Sequence, residues 1–230
     1  HGVMPSKRSY ADHGDACAAA HGIEVMGEVW TYPILREMFL GPKRFGAIRA
    51  GLPGVASNIL TRRLEDLERA GIVRRRSLPA PASAPAYELA ASGLALAPVL
   101  RELCRWGAAM PGHDPGLPIS PTALMLSMEA MIRPAGRFTA GFEMAGEAFA
   151  LTADASGLQI RRSDAGTGEM SFAGHPNDMA SAIYGPAPLA DVVASGRIRF
   201  TGDLGRGQAF VDLFRLERPH GSPPLPPSTT

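Results

Sequence analysis

The sequence predicts an α+β fold in two units, and three observations predict it. A basic amphipathic helix runs directly into a basic strand between residues 57 and 78. A stretch rich in proline and glycine (PGHDPGLPI) breaks the chain at residues 111–119. Beyond it, short runs alternate apolar and polar residues, the period of a half-buried sheet. The 230 residues suffice for two ordinary cores. The expected division is 1–14 as a disordered or vector-derived start, 15–110 as the first unit, 111–119 as a linker, 120–218 as the second unit and 219–230 as a disordered tail.

In the first unit, residues 15–27 read as a helix. Residues 28–40 (EVWTYPILREMFL) read as a buried helix that ends at Gly41-Pro42. Pro33 has no backbone donor, so that helix must start near it or kink. RFGAIRA, residues 44–50, reads as a short helix, followed by a turn at Gly51-Leu52-Pro53-Gly54. The next helix begins at Ser57, a residue type that caps helix starts. Its apolar face is Leu60, Leu64, Leu67 and Ala70, which leaves Asn58, Thr61, Arg62 and Arg63 to point elsewhere. Gly71 ends it, and Ile72–Arg76 form a strand. PAPASAPA (79–86) reads as a loop, 86–90 as a second strand and 92–110 as one closing amphipathic helix. Helix, short helix, tight turn, basic helix and two strands around a loop is the order of a winged helix-turn-helix.

A helix of this kind fits a DNA major groove. Asn58, Thr61 and Arg62 are candidates for base edges, and Ser57 is a further candidate DNA contact. Arg63, Arg74, Arg75 and Arg76, with Lys43 and Arg44 at the short helix, are candidates for phosphate. The same residues also suit an ordinary amphipathic helix with solvated arginines. Charge distribution bears on that choice. Residues 1–112 hold 14 lysines and arginines against 10 acids, and residues 113–230 hold 9 against 12, so the excess of base sits in the unit with the reading helix.

Several groups of these residues, taken in order, resemble the HxlR-type winged helix-turn-helix regulators: Trp30-Thr31, Ile34-Leu35-Arg36-Glu37, Gly41-Pro42, Arg44-Phe45, Leu60, Arg63-Leu64, Leu67, Gly71, Val73, Tyr87-Glu88-Leu89, Gly93 and Trp106-Gly107. The resemblance covers about residues 15–110. It implies a homodimer built through the first and closing helices, with two reading helices about one DNA turn apart on an inverted-repeat operator. The chain departs from the pattern at Pro33 and in an uncharged wing tip, which puts the arginines at the wing's base ahead of the tip as DNA contacts. Relatives often carry a cysteine near the first helix, and in some it senses oxidants or electrophiles. Cys17 stands there as a possible redox sensor, or as a small packing residue.

In the second unit, residues 120–133 suit a helix. Residues 137–144, 147–152 and 158–161 read as an antiparallel meander, and GEMSFA (168–173) as an edge strand. Arg161, Arg162 and Asp164 read as solvated. Helices at 176–184 and 189–194, a strand at 197–200 and a helix at 207–216 complete an α+β layer. HPNDMASAIYG, LADVVASGRIRFTGD and FVDLFRL, with Gly196, Ile198, Phe200, Gly202 and Asp203 at their spacing, resemble sterol-carrier-protein-2-like domains over about residues 118–218. That resemblance implies an apolar cavity between the sheet and the helices. Phe138, Phe142, Met144, Phe149, Leu151, Met179, Ile183, Tyr184 and Phe214 would line it. By spacing alone the same residues make a closed core.

The chain shows no phosphate-binding glycine loop and no nucleophile elbow, and its histidines lack ligand spacing with Cys17 and Cys104. The expectation is therefore no enzyme, no cofactor and no metal. His175 and Asp178 read as capping and surface residues. No apolar run reaches the ~20 residues of a membrane-spanning helix, and two cysteines fit a reduced, cytoplasmic setting. The reading is a ligand-responsive transcription regulator that binds double-stranded DNA as a homodimer and takes an apolar small-molecule effector. The alternative is a lipid or small-molecule carrier whose winged unit serves dimerisation or protein contacts.

Overall fold

The computed structural model describes residue 14 and residues 16–77 and 85–216. Expectations that fall on residues 1–13, 15, 78–84 and 217–230, among them the chain ends and the wing tip, lie outside the described residues.

The first unit runs α1 (Ala18–Met26), α2 (Thr31–Arg36), β1 (Lys43–Arg44), α3 (Phe45–Ala50), α4 (Ser57–Arg69), β2 (Val73–Ser77), β3 (Pro85–Leu89), α5 (Ala91–Leu94) and α6 (Ala97–Ala108). Helix α2 is shorter than the 28–40 expected. It opens at Thr31, which puts Pro33 within the first turn, where backbone donors have no intrahelical partner. After Arg36 the chain tightens into i→i+3 turns: Met38 donates to the Leu35 carbonyl and Phe39 to that of Arg36. Helix α4 is not capped by Ser57. The N-cap is Ala56, with no side-chain bond, and the Ser57 carbonyl accepts from the Thr61 hydroxyl at 2.9 Å. Its far end follows the expectation. Gly71 sits at φ +71°, its N–H donates to the Glu68 carbonyl, and the Ile72 N–H donates to that of Leu67, the paired closure of a glycine-terminated helix. The closing helix is two pieces rather than one, because Pro98 in the first turn of α6 cannot continue the α5 ladder.

The three-stranded sheet has the order β1-β3-β2, all antiparallel. Strand β1 was not expected, since two residues carry no readable alternation. Ile34, Leu35, Met38, Ile48, Leu52, Leu60, Leu64 and Leu67 meet Ile72, Val73 and Leu89 in one core. The turn between α3 and α4 is fixed by this burial, Leu52 and Val55 being 2% and 5% exposed.

The second unit runs α7 (Pro121–Met131), β4 (Phe138–Met144), β5 (Glu147–Asp154), β6 (Gly157–Ser163), β7 (Met170–Gly174), α8 (Pro176–Tyr184), α9 (Leu189–Ala194), β8 (Ile198–Thr201) and α10 (Leu204–Val211). Ser120 caps α7 by accepting from the Ala123 N–H, and Asp203 caps α10 by accepting from that of Arg206. The aspartate moves α10 ahead of the 207–216 expected. His175 caps α8 through Nδ1, as read.

The five-stranded sheet has the order β6-β5-β4-β7-β8. It is mixed, not antiparallel, and β7 is an inner strand rather than an edge: it pairs parallel with β4, Phe142 opposite Phe172, and antiparallel with β8. The cause lies in the 164–169 crossover, which passes over the outer face of β4. A Cβ on Gly141 would sit 2.0 Å from the Gly166 carbonyl carbon, so only glycine allows the crossing. Glu143 accepts from the Gly166 N–H at 3.0 Å, and Thr139 and Glu169 exchange two bonds. The inner face of the sheet and the helices share one aromatic core. The rings of Phe142 and Phe172 stack at 4.7 Å, and Phe210 packs against Phe138, Phe142, Phe172 and Phe214.

Candidate nucleic-acid interface

Helix α4 lies on the first core through Leu60, Leu64 and Leu67, at most 4% exposed. That anchorage dictates what the other face presents. Ser57, Asn58, Thr61 and Arg62 are exposed at its N-terminal end. Arg62 forms no ion pair among the described residues, while the Thr61 hydroxyl is turned back onto the helix. Arg44, at the start of α3, is exposed, and so is Arg49 on α3, which the sequence reading did not single out.

The remaining basic candidates are engaged. Arg63 is half-buried between Glu28 and Asp66, 3.3 Å from each. Arg74 and Arg76 project on one side of β2 and share Glu88, at 2.7 and 2.9 Å. The hydrogen bond from Arg76 holds the Glu88 carboxyl below its ordinary range; desolvation opposes it, and the bond from Arg74 adds to the lowering. Arg75 projects on the other side, 3.0 Å from Glu68 and over the Tyr87 ring. The basic run at the wing's base is thus partly neutralised by acids that flank it in space but not in sequence.

Lys43 is a correction. It is 3% exposed, and its ammonium donates to Glu37 Oε2 at 2.7 Å, Thr122 Oγ1 at 3.0 Å and Glu147 Oε1 at 3.0 Å. Glu37, 0% exposed, also accepts from Ser120 Oγ at 2.6 Å and Arg36 Nε at 3.2 Å, and its carboxylate fits against Gly51 only because that residue has no Cβ. Arg162, expected in solvent, reaches Glu147 at 2.8 Å and Thr122 at 3.1 Å. This polar cluster joins α2, β1 and the helix-turn-helix bend to α7, β5 and β6. Lys43 is closed off from nucleic acid.

Helix α6 carries two apolar faces. Val99, Leu103 and Trp106 are exposed at 60%, 43% and 58%, while Leu100 on the opposite face is buried. Ile23 and Val25 of α1 are exposed as well. Cys17 occupies the N-cap position of α1 and is exposed. Cys104 is half-buried beside α7, and desolvation raises its thiol above the ordinary value.

Of the residues expected to line a cavity, Phe138, Phe142, Met144, Phe149, Leu151, Met179, Ile183 and Phe214 are buried in the aromatic core and Tyr184 packs at its margin. Ile183, Tyr184 and Phe214 also reach an open surface hollow bounded by Pro188 and Leu216. The five motif positions that suggested a carrier have structural roles: Gly196 and Gly202 take positive φ, Ile198 and Phe200 lie in β8, and Asp203 caps α10. Among the described residues, no three His, Cys, Asp or Glu side chains group to hold a metal, and no helix is long and apolar enough to cross a membrane.

The model of the HxlR-like helix-turn-helix family matches residues 25–114. The helix-turn-helix-type transcriptional regulator YvaP of Bacillus subtilis (strain 168) is 33% identical over 84 residues, 36% of this chain and 78% of YvaP. The transcriptional regulator YodB of the same organism is 34% identical over 82 residues, 36% of this chain and 73% of YodB. The solved structure of the reduced form of the transcriptional regulator YodB from B. subtilis aligns with 44% of this chain and 100% of that chain at 29% identity, with a TM-score of 0.39. The family match covers most of the first unit and the start of the linker.

Proposed function

Because the chain belongs to the HxlR-like helix-turn-helix family, we propose that it is a transcription regulator that binds operator DNA as a homodimer and responds to a small apolar effector held by its second unit. The observation that carries the DNA half is the exposed N-terminal end of α4, with Asn58 and Arg62 outward from a helix whose other face is locked into the core. Asn58, Thr61, Arg62 and Ser57 address base edges; Arg44, Arg74, Arg75 and Arg76, with Arg63 at the margin, address phosphate. Lys43 has no part in it. The exposed apolar face of α6 (Val99, Leu103 and Trp106) supports a two-fold dimer, and therefore an inverted-repeat site with half-sites about one turn apart.

The second unit, about residues 120–218, is an effector domain built in the manner of the sterol-carrier-protein-2-like layer. Its mixed sheet and helices support that reading of the architecture, and the buried polar cluster around Glu37 supports mechanical coupling to the reading helix. An effector acts by preferring one dimer geometry. Cys17 offers a compatible redox input at the exposed start of α1.

The test is a salt titration of binding to a duplex from the protein's own upstream region. DNA binding by several arginines weakens steeply as salt rises. No duplex shift at low salt, together with salt-independent uptake of apolar ligand, would favour the carrier.

A further inference from the structure

Between the two units lies a cavity of about 220 Å³. One wall is the winged unit: Tyr32 and Arg36 of α2, Phe39, and Leu100, Arg101 and Cys104 on the buried-side face of α6. The other wall is α7, through Ala123, Leu126, Ser127 and Glu129. The volume is below the ~300–1,000 Å³ of sites for drug-sized ligands, which suits one ring rather than a sterol.

The chemistry of the walls narrows the occupant. Most of the lining is aliphatic or aromatic, and the polar groups are mostly donors. Arg101 uses one N–H on Glu129 at 2.5 Å, and its other four N–H groups form no hydrogen bond among the described residues. Arg36 is held behind by Glu37 and the Gly51 carbonyl, so its fork is fixed in place. The Tyr32 hydroxyl forms no hydrogen bond among the described residues, and burial raises its pKa, which keeps it a donor. Arg36 is paired with Glu37 and Arg101 with Glu129, so the donors left for an occupant are the other N–H groups of Arg101 and the Tyr32 hydroxyl.

We infer that this junction cavity, formed by α2, α6 and α7, is a binding site for a single-ring aromatic carboxylate, with the ring between Phe39, Leu100 and Leu126 and the carboxylate on Arg101 and Tyr32. The inference rests on the effector half of the function proposed above and gives that effector a place and a class. Its location has a consequence. The cavity face of α6 (Ala97, Leu100, Arg101, Cys104) is opposite the face carrying Val99, Leu103 and Trp106, so an occupant that shifts α6 against α7 also shifts the apolar face proposed for the dimer.

The experiment uses benzoate on DNA-free protein, followed by calorimetry and by protection of Cys104 from N-ethylmaleimide in a Cys17→Ser background. Benzoate binds at least tenfold more tightly than benzylamine, and saturating benzoate slows Cys104 alkylation several-fold. Ala123→Phe, which fills the cavity, abolishes both effects. Arg101→Gln, with its thermal melt as the check on folding, loses the preference for benzoate over benzyl alcohol. Absence of benzoate binding, binding without Cys104 protection, or binding untouched by both variants overturns the site. DNA affinity is measured separately, so a failure of operator binding leaves the cavity test intact.

Discussion

The ammonium of Lys43 lies 2.7 Å from Glu37 Oε2, with both side chains shut away from solvent, and through Ser120 and Thr122 this pair fastens the helix-turn-helix to the start of α7. A charge pair in such a place adds little net stability against an apolar substitute, but removing one member strands the other.

Lys43→Met is therefore expected to lower unfolding stability by about 3–5 kcal/mol, and Lys43→Met combined with Glu37→Gln to recover most of the loss. Urea melts measure both. A Lys43 variant that kept full stability and lost DNA affinity would return the residue to the interface.

Glu88 holds two arginines that the duplex would otherwise meet. Glu88→Gln should strengthen operator binding and steepen its salt dependence, whereas Arg62→Ala should cost about 1–3 kcal/mol and relax preference at one base position. The pH response follows from the depressed Glu88 carboxyl. A carboxyl lowered in the folded state contributes above its ordinary value, 4.5, and loses that contribution only as pH falls through the depressed one. Anisotropy titrations between pH 6 and 8 should then show no change in affinity that Glu88→Gln removes.

Trp106→Glu or Leu103→Glu places a charge on the exposed face of α6. Sedimentation should show a shift from dimer to monomer, with a large loss of affinity for an inverted repeat and little loss for a half-site.

Cys104 is desolvated, so its thiol stays protonated past the ordinary value of 9.0. In Cys17→Ser protein, the iodoacetamide reaction of Cys104 should keep rising above that pH; a plateau below it would place the thiol in a different environment.

Gly141→Ala puts a methyl group into the backbone of the crossover at Gly166. It should destabilise the fold by at least the ~1–3 kcal/mol usual for overpacking, because the obstacle is main chain and not a movable side chain. A thermal melt unchanged by this substitution would show that the crossover can lift from β4.

The sequence by itself determined the elements that rest on local physics. Leu60, Leu64 and Leu67 at helical spacing marked α4, Gly71 its end, and alternation marked β4, β5 and β6; His175 was legible as a cap from its place before a helix. Tertiary structure decided what depends on residues far apart in the chain. Whether Lys43 faced DNA or Glu37, Thr122 and Glu147, whether β7 lay at the edge or beside β4, and whether Arg74 and Arg76 were free or held by Glu88 all turned on distant partners, 12 or more residues away for the arginines and up to 104 away for Lys43. Periodicity reports which side of an element is apolar. It does not report which distant polar group meets a charge there, because that is set by how the two sheets and α7 pack, and a buried charge takes whatever counter-charge the packing brings within reach.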